Sequence, residues 1–213
     1  MAAPAEIREL VSTFARNRES YHSDAFNELQ LRHQFLNPFF ASLGWDVENR
    51  QGYAEAYKDV TLEESIKVGG ATRAPDYSFR IGGVRKFFVE AKKPAVSVSH
   101  DVGPAFQLRR YAWSAKLPLS ILTDFEEFAV YDCRVRPDKN DPASTARTIY
   151  LTFDQYDDRW DEIASIFSRE AVLKGSFDKY AESNKQKRGT SQVDDAFLGE
   201  IDEWRSQLAR NLA

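Results

Sequence analysis

Pro75-Asp76-Tyr77-Ser78-Phe79-Arg80-Ile81-Gly82-Gly83-Val84-Arg85-Lys86-Phe87-Phe88-Val89-Glu90-Ala91-Lys92 reads as two β-strands joined by a glycine turn. Aromatic and β-branched residues dominate both arms, and the paired glycines interrupt them. Glu90 and Lys92 stand two apart in an extended run, so they project from one face. The turn decides whether Asp76 joins them. A two-residue Gly82-Gly83 turn pairs Ile81 with Val84 and sends Asp76 and Glu90 to opposite faces. A three-residue connection with a glycine bulge pairs Ile81 with Arg85 and sets Asp76 opposite Glu90. The second register also stacks Tyr77, Phe79, Ile81, Phe87, Val89 and Ala91 on the reverse face, toward a core, and is therefore preferred.

Two carboxylates and an ammonium on one sheet face make a site for a divalent cation. Mg²⁺ takes hard oxygen ligands and keeps its other positions for water and phosphate. A lysine beside it can orient an attacking water or offset charge on a phosphate. The competing interpretation is a surface hairpin with a solvated ion pair, and only the surrounding chain separates the two.

Upstream, residues 4 to 18 carry Ile7, Leu10, Val11 and Phe14 at helical spacing. A second helix is predicted from about Asp24, with Phe26, Leu29, Phe35, Leu36, Phe39, Phe40 and Leu43 on a broad apolar face and Gly44 as its stop. Pro38 should bend or divide it. Glu28 lies four residues before Arg32, the spacing of a surface ion pair. Residues 56 to 68 read as mixed loop and short strand. Downstream, Ser99 or Asp101 caps a helix reaching about Ala115, on which Gln107 and Tyr111 share a face. Leu119 to Thr123 is a nearly all-apolar strand of the kind buried on both faces. Phe128 to Asp132 returns antiparallel, and Ile149 to Phe153 is a further edge strand. Residues 155 to 182 read as one or two helices. Trp45-Asp46-Val47 opens an extended segment before the hairpin, and helix, strand, hairpin, helix, strand, strand in this order is an α/β arrangement: a central mixed sheet flanked by helices.

At 213 residues, with 42% hydrophobic and 29% charged side chains, the chain fits one generous domain with a real core. No run approaches the ~20 apolar residues of a membrane span. The single cysteine, Cys133, excludes an intrachain disulfide or a cysteine zinc cluster and reads as a small strand residue near a surface. A net charge of −4 gives no global attraction for nucleic acid, although Arg85/Lys86, Lys92/Lys93 and Arg109/Arg110 are locally basic.

An acid-bearing helix (Glu28), then Pro75-Asp76, then Glu90-Ala91-Lys92, then a helix with Gln107-Leu108-Arg109-Arg110-Tyr111: this succession resembles the nuclease domain of Type I and Type IIG restriction enzymes, members of the PD-(D/E)xK superfamily. Phe88-Val89-Glu90-Ala91-Lys92-Lys93-Pro94 and Leu43-Gly44-Trp45-Asp46 are similar to the same group, and the likeness covers residues 24 to 132. The resemblance implies a restriction-endonuclease-like fold and hydrolysis of phosphodiester bonds in double-stranded DNA, leaving a 5′-phosphate. It implies Mg²⁺, with Mn²⁺ as substitute, held by Asp76 and Glu90 with the Ala91 carbonyl, and supported by Glu28 directly or through water. Lys92 would activate water, and Gln107 and Tyr111 would position the phosphate or Lys92. A bacterial or archaeal cytoplasmic location goes with it. The alternatives are a repair or junction nuclease of the same fold, and a catalytically silent module that binds DNA or a partner.

Residues 183 to 192 have no apolar anchor and read as a linker after a nuclease domain spanning 1 to 182. Beyond it, Val193 to Leu212 forms an amphipathic helix with Phe197, Ile201, Trp204, Leu208 and Leu212 along one side. Val193-Asp194-Asp195-Ala196-Phe197-Leu198 and Glu203-Trp204-Arg205-Ser206-Gln207-Leu208-Ala209 resemble the connector in fused restriction–methyltransferase polypeptides. Residues 193 to 213 would then lead to methyltransferase and target-recognition domains absent from this chain. The exposed stripe offers a route to self-association. Trimming after about Ser183 is expected to leave the thermal midpoint of the core almost unchanged. A large drop would make the helix part of that core.

Overall fold

A computed structural model describes residues 2–187; the proposed linker beyond 187 and the tail helix lie outside the described residues. The centre is a six-stranded sheet in the order β1-β4-β5-β6-β7-β8. Its strands are β1 (Val60–Leu62), β4 (Tyr77–Ile81), β5 (Val84–Ala91), β6 (Leu119–Thr123), β7 (Glu127–Asp132) and β8 (Arg147–Thr152). Only β5 and β6 run parallel. A parallel pair needs a crossover, and α4 (Val102–Ser114) supplies it. β2 (Ile66–Val68) and β3 (Ala71–Arg73) make a separate hairpin around Gly69-Gly70.

The alternation of β4 and β5 sends side chains into two cores. On one face Tyr77, Phe79, Phe87, Val89 and Ala91 join Leu119, Ile121, Phe128 and Val130. They are covered by α1 (Ala5–Tyr21), α2 (Glu28–Leu31), α3 (Asn37–Ser42), α5 (Trp160–Phe167), α6 (Arg169–Leu173) and α7 (Ser176–Lys187). Phe79 and Phe87 stack across the hairpin at 4.5 Å between ring centres. Trp45 caps this cluster, and its indole N–H donates to the Phe167 carbonyl at 2.8 Å. On the other face Phe88, Leu122, Ala129 and Tyr131 pack on Leu108, Tyr111 and Ala112 of α4.

The hairpin departs from the preferred turn and yet reaches the preferred register. Ile81 pairs with Val84, so the turn is the two-residue one, with Gly82 and Gly83 at φ 57° and 79°. Such positive angles suit glycine and match the twist of the strands. Arg80 pairs with Arg85, but Phe79 pairs with Phe87, leaving Lys86 as an extra residue in β5. This β-bulge shifts the register by one, and Tyr77 meets Val89. Continuing that register sets Asp76 opposite Glu90.

Other expectations are corrected in detail. The second helix starts at Glu28 rather than near Asp24, because Asn27 caps it through a reciprocal bond with Gln30. It is divided by a π-helical turn, Arg32–Leu36, after which α3 begins with Asn37-Pro38. The wide turn absorbs the missing proline N–H and rotates the helix, which leaves Leu29 exposed while Phe35, Phe39 and Phe40 are buried. β8 starts at Arg147, two residues before the expected Ile149. Residues 155 to 182 hold three helices, and α7 runs on through Lys187 into the stretch read as linker. Cys133 is fully buried rather than near a surface, and burial pushes its thiol up to about 12.

A Cβ on Gly83 would meet the Ala56 carbonyl at 2.8 Å, whereas one on Gly82 meets nothing within 4 Å. Gly83→Ala is therefore expected to cost about 1–3 kcal/mol from strain and collision together. Gly82→Ala should cost only the backbone share, about 1 kcal/mol. Urea denaturation of both variants checks the ordering.

Candidate functional site

Glu90 lies on the α4 face of β5, one residue from its end, and is 3% exposed. Its Oε1 accepts from Lys92 Nζ at 2.9 Å and from the Gln107 side-chain amide. Its Oε2 is buried with no hydrogen-bond partner. A buried carboxylate oxygen without a donor is costly, and a proton, a water or a cation can supply what it lacks. Burial, and then the neighbouring Asp76 charge, push the Glu90 carboxyl up to about 7.

Asp76 precedes β4, where Pro75 fixes the chain's approach. Its Oδ2 accepts the Ala91 backbone N–H at 2.7 Å, which ties it to the strand that carries Glu90. Its Oδ1 lies 3.5 Å from Arg32 Nη1. Burial raises the Asp76 carboxyl above the ordinary range against the pull of Ala91, Lys92 and Arg32. Burial pulls the Lys92 ammonium down, but Glu90, with Glu28 and Asp76 behind it, raises it on balance. Lys92 is therefore a cation at neutral pH. Its backbone N–H donates to the Thr123 carbonyl at 3.1 Å, so the end of β6 fixes its position.

Gln107 reaches Glu90 directly. Tyr111 lies one turn further along α4; burial raises its phenol first, and the Glu90 charge adds to that. Glu28, the first residue of α2, meets Lys92 at 3.8 Å rather than Arg32. The i,i+4 surface pair is therefore absent, since Arg32 is buried within the π-turn. There it contacts Glu63 at 3.1 Å and Asp76, and its guanidinium lies 5.0 Å from the centre of the Tyr77 ring. Sequence reasoning missed Arg32 because its spacing from Glu28 already offered a partner. The one available signal was Pro38 inside a helical pattern, which marked an irregular turn.

Among the described residues no group of three or more His, Cys, Asp or Glu side chains is arranged to hold a metal ion. Asp76 and Glu90 remain as a pair of carboxylates, with Asp76 tied through the Ala91 N–H to the strand that carries Glu90. That set fits Mg²⁺, which is commonly bound through one or two carboxylates and keeps several waters. The unpartnered Glu90 Oε2 and the adjacent Ala91 carbonyl are hard oxygen donors of the right type.

The metal-free site carries a pH signature. Folded Glu90 keeps its proton up to about pH 7, and unfolded Glu90 releases it in the ordinary carboxylate range. Between these values the folded state binds more protons, so stability falls as pH rises through that window. Asp76 shifts in the same direction. With a chelator present, the wild-type thermal midpoint is expected to fall from roughly pH 5 to pH 8, and Glu90→Gln to fall much less. The difference is on the order of 3 kcal/mol. Melts at stepped pH check this, and a wild-type midpoint that rises through the window contradicts it.

Residues 58–139 match the family described as the Type I restriction enzyme R protein N terminus. The chain is also 39% identical over 206 residues, 96% of its length, to the Type II restriction enzyme and methyltransferase RM.Eco57I of Escherichia coli. It spans about a fifth of the length of that relative, 21%. No solved structure matches. The matched segment contains Asp76, Glu90 and Lys92 at the β4–β5 hairpin of the mixed sheet and Gln107 and Tyr111 on α4. In sequence and in fold, this domain is similar to the nuclease domains of restriction enzymes in the PD-(D/E)xK superfamily.

Proposed function

We propose that this chain is the DNA-cleaving domain of a restriction–modification enzyme, an Mg²⁺-dependent endonuclease of the Type IIG kind acting on double-stranded DNA. The observation that carries the reading is the buried, unpartnered Oε2 of Glu90, set beside Asp76 and Lys92. Lys92 and Gln107 both bond to Oε1, so Oε2 is left as a hard oxygen donor beside Asp76. Asp76, Glu90 and the Ala91 carbonyl would hold the ion, and Mn²⁺ would substitute for it. When bound, the ion supplies Lewis-acid polarisation of the phosphate and lowers the pKa of water.

The remaining work falls to the chain. Lys92, held cationic by Glu90 and Glu28, orients the attacking water and offsets the negative charge that develops on the phosphate. Gln107 fixes the Glu90 carboxylate, and Tyr111 stands next along the helix to steer the phosphate. Arg32 and the Ala91 N–H hold the two oxygens of Asp76 in place. Hydrolysis adds water across the P–O3′ bond and leaves a 5′-phosphate and a 3′-hydroxyl. The methyltransferase named in the relative RM.Eco57I is the natural fused partner, with target recognition supplied from the same polypeptide.

With Mg²⁺ or Mn²⁺, the wild-type protein is expected to nick or linearise supercoiled plasmid. Asp76→Ala, Glu90→Ala and Lys92→Ala should each lower the rate by on the order of 10²-fold or more while circular dichroism stays native. Cleavage by Glu90→Ala at the wild-type rate would overturn the assignment.

A further inference from the structure

The β2–β3 hairpin is seated by Ile66 and Val68 against Leu108, Tyr111 and Ala112 of α4. Each face of the hairpin carries an exposed cation: Lys67 shares the outer face with Thr72, whereas Arg73 pairs with Ile66 and so lies on the side toward α4. Lys67 is exposed, with its ammonium donating to Thr72 Oγ1 at 2.8 Å. Arg73 is exposed, and its guanidinium reaches the Thr72 carbonyl at 3.3 Å. On α4 the Arg110 guanidinium lies 6.0 Å from the centre of the Phe106 ring. Among the described residues no carboxylate stands within ion-pair distance of these three cations. By contrast, Arg32, Arg109 and Arg134 each have an acidic partner, and Arg80 and Arg85 share Glu64.

The patch adjoins the candidate site. Arg73 ends β3 three residues before Asp76, and Arg110 follows Gln107 by three and immediately precedes Tyr111. The Tyr111 hydroxyl is influenced by Glu90 and, with opposite sign, by Arg73, Arg110 and Lys92. The hairpin tip is made of Gly69 and Gly70, at φ 56° and 82°, with open space where a Cβ would stand. A bare tip allows its backbone to come close to another molecule.

We propose that Arg73 and Arg110 bind the backbone phosphates of duplex DNA beside the scissile phosphate, so that the edge of the β2–β3 hairpin and α4 together seat the duplex against Asp76, Glu90 and Lys92. This rests on the nuclease reading above and adds the surface that delivers the substrate. Guanidinium groups bind phosphate through paired donors, and a ring beneath Arg110 limits its rotamers before the ligand arrives. Contacts of this kind position a duplex and carry no sequence information. In a chain of net charge −4, a local cationic face is needed for the backbone to approach at all.

The test titrates a labelled duplex of arbitrary sequence with the whole chain and reads fluorescence anisotropy at several salt concentrations. A Glu90→Gln background prevents cleavage. Adding Arg73→Gln and Arg110→Gln is expected to weaken binding about 10-fold or more at low salt and to lower the salt slope by about two. Lys179→Gln, on α7 across the sheet, should leave both unchanged. With Glu90 intact and Mg²⁺ present, the double variant should raise KM and leave kcat close to wild type. Unchanged affinity and slope in the double variant overturn the docking surface, as does an equal loss in Lys179→Gln. Duplex binding through these arginines by a wild-type chain that never cleaves with Mg²⁺ or Mn²⁺ overturns the nuclease reading alone.

Discussion

Lys86 has no partner on β4, and because of that one unpaired residue Phe87, Val89 and Ala91 turn toward the larger core while Glu90 turns toward Asp76. Strand side chains alternate with period two, so a register without the bulge would reverse the relation between the two carboxylates. The bulge is held from both directions. The Gly82-Gly83 turn imposes the two-residue pairing at the tip. Farther down, the stacked Phe79–Phe87 pair and the contacts of Trp45 and Phe177 with Phe87 impose the shifted pairing. Lys86 itself is tied down at 3.1 Å by Asp178 of α7. Hydrophobic burial of the aromatic face thus sets the position of the acids on the other face.

The acids are held at an electrostatic cost. Burial raises both Asp76 and Glu90, with the Glu63 charge adding at Asp76 and the Asp76 charge adding at Glu90, so neither gains stability from being ionised in the metal-free fold. Part of that cost is offset by Arg32, by the Ala91 N–H and by Lys92. The offset is incomplete, since Glu90 Oε2 is left without a donor. A local sacrifice of stability of this sort is expected where a site is shaped for a ligand instead of for folding. The π-helical turn at Arg32 belongs to the same pattern: an irregular stretch of helix brings a buried cation to Asp76 Oδ1, while the strand backbone holds Oδ2.

α4 joins the two halves of the proposal. It is the crossover that makes β5 and β6 parallel, and so it must lie against the face on which Glu90 projects. From that position Gln107 faces Glu90, while Arg110 and the hairpin seated beside it face outward. A single helix therefore carries a residue that fixes the carboxylate and a residue suited to hold the substrate. The −4 net charge of the chain is compatible with this because the unneutralised cations are local.

Much of the fold is legible in the sequence. The apolar alternation of Tyr77 to Ala91, the all-apolar run Leu119 to Thr123, and the helical spacing around Gln107 and Tyr111 each name one element without help from the others. Alternation along the second strand puts Glu90 and Lys92 on one face, whereas Asp76, Gln107 and Tyr111 join them in the sequence only through the resemblance to restriction nucleases. What the sequence leaves open is whatever depends on a contact between distant segments. The bulge at Lys86 is invisible locally, since Gly82-Gly83 permits either turn and only packing against Trp45, Phe167 and Phe177 selects the register. The pairing of Arg32 with Asp76 and Glu63 instead of Glu28 spans more than thirty residues. The burial of Cys133 follows from α4 and β6 closing over it. Periodicity fixes which face a side chain takes within its own element; which charge or ring it meets there is decided by how the elements pack.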